Sequence, residues 1–124
     1  VPVPILKQGD VLIASIQAAL SDQDLVALRD EIANQVGQFR SKGVIIDVAA
    51  LDVLDSFATR TLRAIAYTAK LRGAQSVVVG IQPDVAFAMV QLGLSLEGVA
   101  TALDLEEGLA HVQHLTRRGA ALVR

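Results

Sequence analysis

Two short β-branched runs constrain this chain more than any other feature: Val44 to Val48 (V-I-I-D-V) and Ser76 to Ile81 (S-V-V-V-G-I). Each is too short for a helix and apolar on both alternating faces, which is the pattern of a strand covered on its two sides. A sheet built from such strands needs helices on both faces, and the flanking sequence supplies them. Leu25, Leu28, Ile32, Val36 and Phe39 recur at steps of three and four after the start Ser21-Asp22-Gln23-Asp24. That start offers a hydroxyl cap and first-turn acid. Arg40, Lys42 and Gly43 are expected to close this helix.

The second helix is expected to open at Ser56 or Phe57 with Asp55 as N-cap, to bury Ala58, Leu62, Ile65, Ala66 and Ala69, and to end at Arg72-Gly73. Pro83 suits a first helical position, so a third helix is expected over Asp84 to Leu92, stopped by Gly93. Asp104 caps a fourth helix whose stripe is Leu105, Leu109, Val112 and Leu115, with its end at Arg117-Arg118-Gly119. Val3 to Leu6 and Val11 to Gln17 flank the turn Gly9-Asp10 and read as an N-terminal hairpin, and Val99 to Ala102 reads as a short strand. The order β-β-α-β-α-β-α-β-α predicts a single α/β domain. It has a mixed, mostly parallel sheet of about five strands and about four helices, with right-handed crossovers. The domain is expected over residues 1–118, with 119–124 as a flexible C-terminal tail.

At 124 residues the chain is sized for one domain. The absence of Cys excludes disulfides, thiolate zinc sites and Cys nucleophiles. A net charge of −2 argues against nucleic-acid binding driven by bulk charge. No apolar run approaches the roughly 18 residues that suggest a membrane span, and no basic segment precedes Val11 to Leu20 to make it a signal peptide. A cytoplasmic location is expected. Mean hydropathy is high at +0.48, which suggests self-association, with the N-terminal edge strand and Ala120 to Val123 as candidate contacts.

The chemistry that is missing narrows function further. Neither G-x-G-x-x-G nor G-x-x-x-x-G-K-[ST] is present, and no G-x-S-x-G elbow exists. Ser56 follows a strand and opens a helix, but His111 and His114 sit in the last helix, with nothing to bring a base to it. Glu107, His111 and His114 share a helical stripe that could ligate a metal, although a solvated polar face explains the stripe better. Asp47, Asp52 and Asp55 lack the acidic pair and the late Lys of a phospho-receiver. No enzyme activity, cofactor or metal is expected.

What remains at the strand ends is Ser56, either a plain first-turn residue or a phosphoacceptor. A phosphate there would add about −1.5 to −2 charge beside Asp52 and Asp55. Arg60, Arg63, Tyr67 and Lys70 share a stripe on the same helix, either as an exposed face or as a docking ridge. Docking is expected along Ser56, Thr59, Arg60 and Arg63, with Asp22, Asp52, Asp55 and Asp84 contributing. The alternative is a nucleotide or small ligand at the strand-end loop, which the missing Gly-rich cradle disfavours.

The segment Gly43 to Phe57 (G-V-I-I-D-V-A-A-L-D-V-L-D-S-F) resembles the phosphoacceptor segment of STAS domains, the anti-sigma-factor antagonists. Further matching pieces are Pro4 to Lys7, Ser15 to Gln17, Asp22-Gln23, Gly80 to Pro83, Leu92-Gly93 and Thr101 to Leu105 with Gly108-Leu109. They run in order along nearly the whole chain and favour the small antagonists of the bacterial stressosome. The resemblance implies that Ser56 is phosphorylated by a serine/threonine kinase of the RsbT type. The unmodified protein would hold that kinase in a large assembly with RsbR-like STAS paralogues, and an RsbX-like phosphatase would reset it. Phe57-Ala58-Thr59-Arg60 depart from the small, Gly-containing residues usual after the acceptor in freely soluble antagonists. Ala88 stands where the larger paralogues carry a second acceptor Thr, so one site is expected.

Overall fold

The computed structural model describes residues 3–123, with side chains through Arg117. The element order is the one the sequence predicts: β1 (Ile5–Gln8), β2 (Val11–Ser15), α1 (Asp22–Phe39), β3 (Gly43–Asp47), α2 (Ser56–Leu71), β4 (Gln75–Val79), α3 (Pro83–Gln91), β5 (Ala100–Ala102) and α4 (Leu105–Val123). The strands form one five-stranded sheet in the order β1-β2-β3-β4-β5. β1 pairs antiparallel with β2, and every other pairing is parallel.

The alternation within each strand sorts its side chains between two cores. Leu12, Ala14, Val44, Ile46 and Val78 face one side, where Leu28, Ile32 and Val36 of α1, Leu62 and Ile65 of α2, and Val85 and Met89 of α3 cover them. Val11, Ile13, Ile45, Val77 and Val79 face the other side and pack with Val112 and Leu109 of α4. Burying each such aliphatic side chain contributes about 1.5–3 kcal/mol, so the larger core under α1 to α3 holds most of the hydrophobic stabilisation.

Several local expectations are corrected. α1 is closed by Arg40 in the left-handed region, at φ 52°, and not by Gly43. Gly43 is the first residue of β3, where a Cβ would collide with Val112 of α4. Phe39 is 39% exposed at the end of the α1 stripe, with Lys7 Nζ over its ring at 5.6 Å. In α4 the buried stripe centres on Gly108 and Val112, and Leu105 is exposed. A Cβ at Gly108 would stand 2.6 Å from Val79 Cγ1, so the missing side chain lets α4 approach the sheet. α4 also continues through Gly119 to Val123, past the point where a tail was expected to begin. The side chains of 118–123 and all of Arg124 lie outside the described residues, as do the contacts expected of Ala120 to Val123. Among the described residues no helix is long and apolar enough to cross a membrane.

Candidate functional site

The loop between β3 and α2 is pinned at both ends and along its length. Asp47 closes β3, and its Oδ1 accepts the Ala49 N–H at 2.9 Å, a side-chain turn that bends the chain out of the strand. Val48 N–H donates to the Val79 carbonyl at 3.0 Å, and Leu51 N–H donates to the Val48 carbonyl at 3.0 Å. Leu51 and Leu54 are buried in the core under α1 and α2, while Asp52 and Val53 between and beside them stay in solvent, Val53 at 72% exposure.

The loop after β4 braces the first one. Gly80 adopts φ 81°, and a Cβ there would meet the Ala49 Cβ at 2.9 Å, so both the conformation and the close approach require glycine. Gln82 Nε2 donates to the Ala49 carbonyl at 2.8 Å. Pro83 then opens α3 at a position where its missing N–H costs nothing.

Asp55 is the N-cap of α2, as the sequence predicts. Its Oδ1 accepts the Ala58 N–H at 2.7 Å. Its carbonyl accepts both the Thr59 N–H at 2.9 Å and the Thr59 hydroxyl at 2.8 Å. Ser56 is the first residue of α2, exposed, and its hydroxyl has no hydrogen-bond partner among the described residues. The backbone N–H groups of Ser56 and Phe57 face outward from the helix start, as the first orphan donors of a helix do.

Of the residues expected to dock a partner, Asp22, Asp52, Asp55, Arg60 and Asp84 are exposed. The acids lie at the sheet end that carries Ser56, and Arg60 sits one turn into α2. Arg63 is half-buried, and its Nη1 donates to the Ser95 carbonyl at 3.3 Å, tying α2 to the connection before β5. Thr59 is corrected: it is 2% exposed. Its hydroxyl is satisfied by the preceding turn, which lets a polar side chain sit inside. Tyr67 and Lys70 complete the exposed stripe of α2. His111 and His114 lie on α4, against the opposite face of the sheet, and do not approach Ser56. The Glu107 carboxylate accepts the Leu103 N–H at 3.3 Å as part of the α4 cap. No group of three His, Asp or Glu could hold a metal among the described residues.

One feature has no local signature in the amino-acid pattern. An apolar cleft of about 110 Å³ opens beside the loop, lined by Ile16, Leu20, Leu25, Leu51, Leu54 and Leu62, with Asp55 among its lining residues. Its walls come from the β2–α1 connection, α1, the β3–α2 loop and α2, so no local pattern announces it.

The family model described as the STAS domain matches residues 3–108. The chain belongs to the STAS family. Its STAS fold superposes on a serine-to-glutamate variant of RsbS from Moorella thermoacetica with a TM-score of 0.79. Identity there is 39%, over 93% of this chain and 97% of the other. A structure described as the molecular architecture of the stressosome, a signal integration and transduction hub, matches at 36% identity and TM-score 0.73, over 92% of this chain and 99% of that one. The RsbT co-antagonist protein RsbRA of Bacillus subtilis is 29% identical over 91 residues, 73% of this chain but 33% of the relative. This STAS chain thus spans about a third of the length of the curated relatives it matches. It is an RsbS-like member of the stressosome and anti-sigma antagonist group.

Proposed function

We propose that this protein is a non-enzymatic, cytoplasmic regulatory scaffold of a bacterial stressosome, switched by phosphorylation of Ser56. It holds a serine/threonine kinase of the RsbT type within an assembly that includes RsbR-like STAS paralogues. Phosphorylation of Ser56 by that kinase releases it to a downstream stress or signalling cascade, and an RsbX-like phosphatase resets the site.

One observation carries this reading: an exposed, unpartnered hydroxyl stands on the first residue of a helix whose preceding loop is fixed on both sides. The kinase meets a preformed surface and needs to displace no internal bond to reach the oxygen. A phosphate on Ser56 lies beside two free backbone N–H groups and the positive end of α2, which favours it. It also lies near Asp52 and Asp55, which repel it. The modification adds about −1.5 to −2 charge, comparable to the whole net charge of −2, concentrated at one loop. The docking surface becomes locally more negative while the core stays as it is.

The test is intact mass after incubation with Mg-ATP and the cognate kinase, beside Ser56→Ala. A single gain of about 80 Da, one phosphoryl group, is expected in the wild type and none in the variant, together with kinase release only from the wild type. No mass change with a demonstrably active kinase overturns the reading.

A further inference from the structure

At the sheet end opposite Ser56, the chain passes from α1 into β3 and from α2 into β4 on neighbouring parallel strands. A groove of about 400 Å³ opens there, lined by Arg40, Ser41, Lys42 and Arg72 together with Gly37 and Gly73. No carboxylate belongs to the lining. Arg40, Lys42 and Arg72 are exposed and form no ion pair among the described residues. The ends of α1 and α2 bring about half a negative charge each. Asp10 lies in the β1–β2 turn, where its carbonyl accepts the Lys42 N–H at 2.7 Å, but its carboxylate is not in the groove. The cations of the lining therefore outweigh the helix ends.

Two details separate this groove from an ordinary solvated basic surface. The first is the seat of Arg72. Gly37 lies inside α1, where glycine is less favourable than alanine. A Cβ at Gly37 would run into Arg72 Nη2. The missing side chain lets the guanidinium lie against α1 and holds its planar donor fork at a defined place. The second is Ser41. It lines the groove at 2% exposure, and its hydroxyl has no hydrogen-bond partner. A buried hydroxyl left unpaired is costly, and an acceptor oxygen bound in the groove supplies the missing bond.

We infer that this groove is a binding site for a small, multiply charged phosphate anion. Its side chains offer a guanidinium fork that fits two phosphoryl oxygens, the Arg40 and Lys42 charges, and a hydroxyl donor. Several cations around one groove suit a diphosphate group better than a single carboxylate, whose one charge would leave most of them unmatched. A ligand held there ties the end of α1 to the end of α2. The site lies at the far end of β3 from Ser56, so it stands or falls separately from the proposed switch.

The test is isothermal titration calorimetry of the full chain with inorganic pyrophosphate, in about 50 mM sodium chloride to limit screening. Saturable binding with a Kd below about 1 mM is expected. Arg72→Gln and Lys42→Gln are each expected to weaken it about tenfold or more, the loss typical of a hydrogen bond to a charged group. Ser41→Ala removes a neutral donor and is expected to weaken it about threefold. Gly37→Ala keeps every charge, suits a helix and displaces only the far end of a flexible side chain. It is expected to weaken binding at least about fivefold by unseating the fork. Circular dichroism checks the fold, and Arg72→Lys, which keeps the charge but not the fork, serves if Gly37→Ala is perturbed. Adenosine diphosphate in place of pyrophosphate separates the sources: tighter binding marks a nucleotide, and equal or weaker binding marks an inorganic phosphate. No saturation by about 1 mM, wild-type affinity in Arg72→Gln or Gly37→Ala, or citrate bound as tightly as pyrophosphate would each overturn the proposal.

Discussion

Beneath α4 the chain omits side chains so that two elements can touch, whereas at the start of α2 it leaves a small side chain standing in solvent. Gly43 and Gly108 have no freedom to spare: a Cβ on either would run into Val112 or Val79. Ser56 has freedom on every side, although the backbone beneath it is held by Asp47, Gln82 and Asp55. Small residues therefore serve opposite ends in one domain. Under α4 they close a seam that a single helix must cover alone, and at the start of α2 one keeps a hydroxyl exposed on a fixed platform.

The contrast can be broken most sharply at the seam. Gly108→Val forces a branched side chain against Val79 and is expected to cost about 2–3 kcal/mol, the upper part of the overpacking range, measured by urea denaturation. Pairing it with Val79→Ala should return part of that loss, since space is the cause. Gly43→Ala is expected to cost about 1–2 kcal/mol, less because a single methyl meets one side chain. At the loop, Asp55→Ala removes the α2 cap and is expected to cost about 1 kcal/mol, with slower phosphorylation as the helix start frays. Ser56→Ala and Ser56→Glu should each stay within about 0.5 kcal/mol of the wild type. A large destabilisation by either would show that Ser56 is structural, and the contrast would be lost.

A smaller effect comes from α1. The Ser21 hydroxyl and the Ser21 backbone N–H hold the Asp24 carboxyl below its usual value. A folded pKa lowered in this way contributes stability that is complete above the unfolded pKa and is lost as pH falls through the folded one. Asp24→Asn should therefore lower stability slightly at neutral pH and flatten the acid limb, the two proteins converging at the acid end, as thermal melts from neutral to acid pH would show.

The parts of this molecule that were legible in the sequence are those decided within a few residues. Asp55 before an apolar stripe is an N-cap by local rule, and V-I-I-D-V is a buried strand by its pattern alone. The misreadings at Gly43 and Leu105 have distant causes. Gly43 follows a helix and so looked like its terminator, but the residue that demands glycine there is Val112 on α4. Leu105 fits the α4 stripe by spacing, yet the point of closest approach to the sheet is Gly108, which spacing cannot weigh. Thr59 looked like surface because it is polar, but a bond to the Asp55 carbonyl lets it go inside. The cleft beside the loop is assembled from the β2–α1 connection, α1, the loop after β3 and α2, and only the folded chain brings those together.

The Gln82 amide that reaches the Ala49 carbonyl makes the two loops at this end of the sheet a single mechanical unit. A partner that pulls on the tip before Ser56 also loads the first turn of α3, whose Phe87 and Val90 are exposed. A load on the loop before Ser56 is thereby passed to an exposed apolar surface on a different helix.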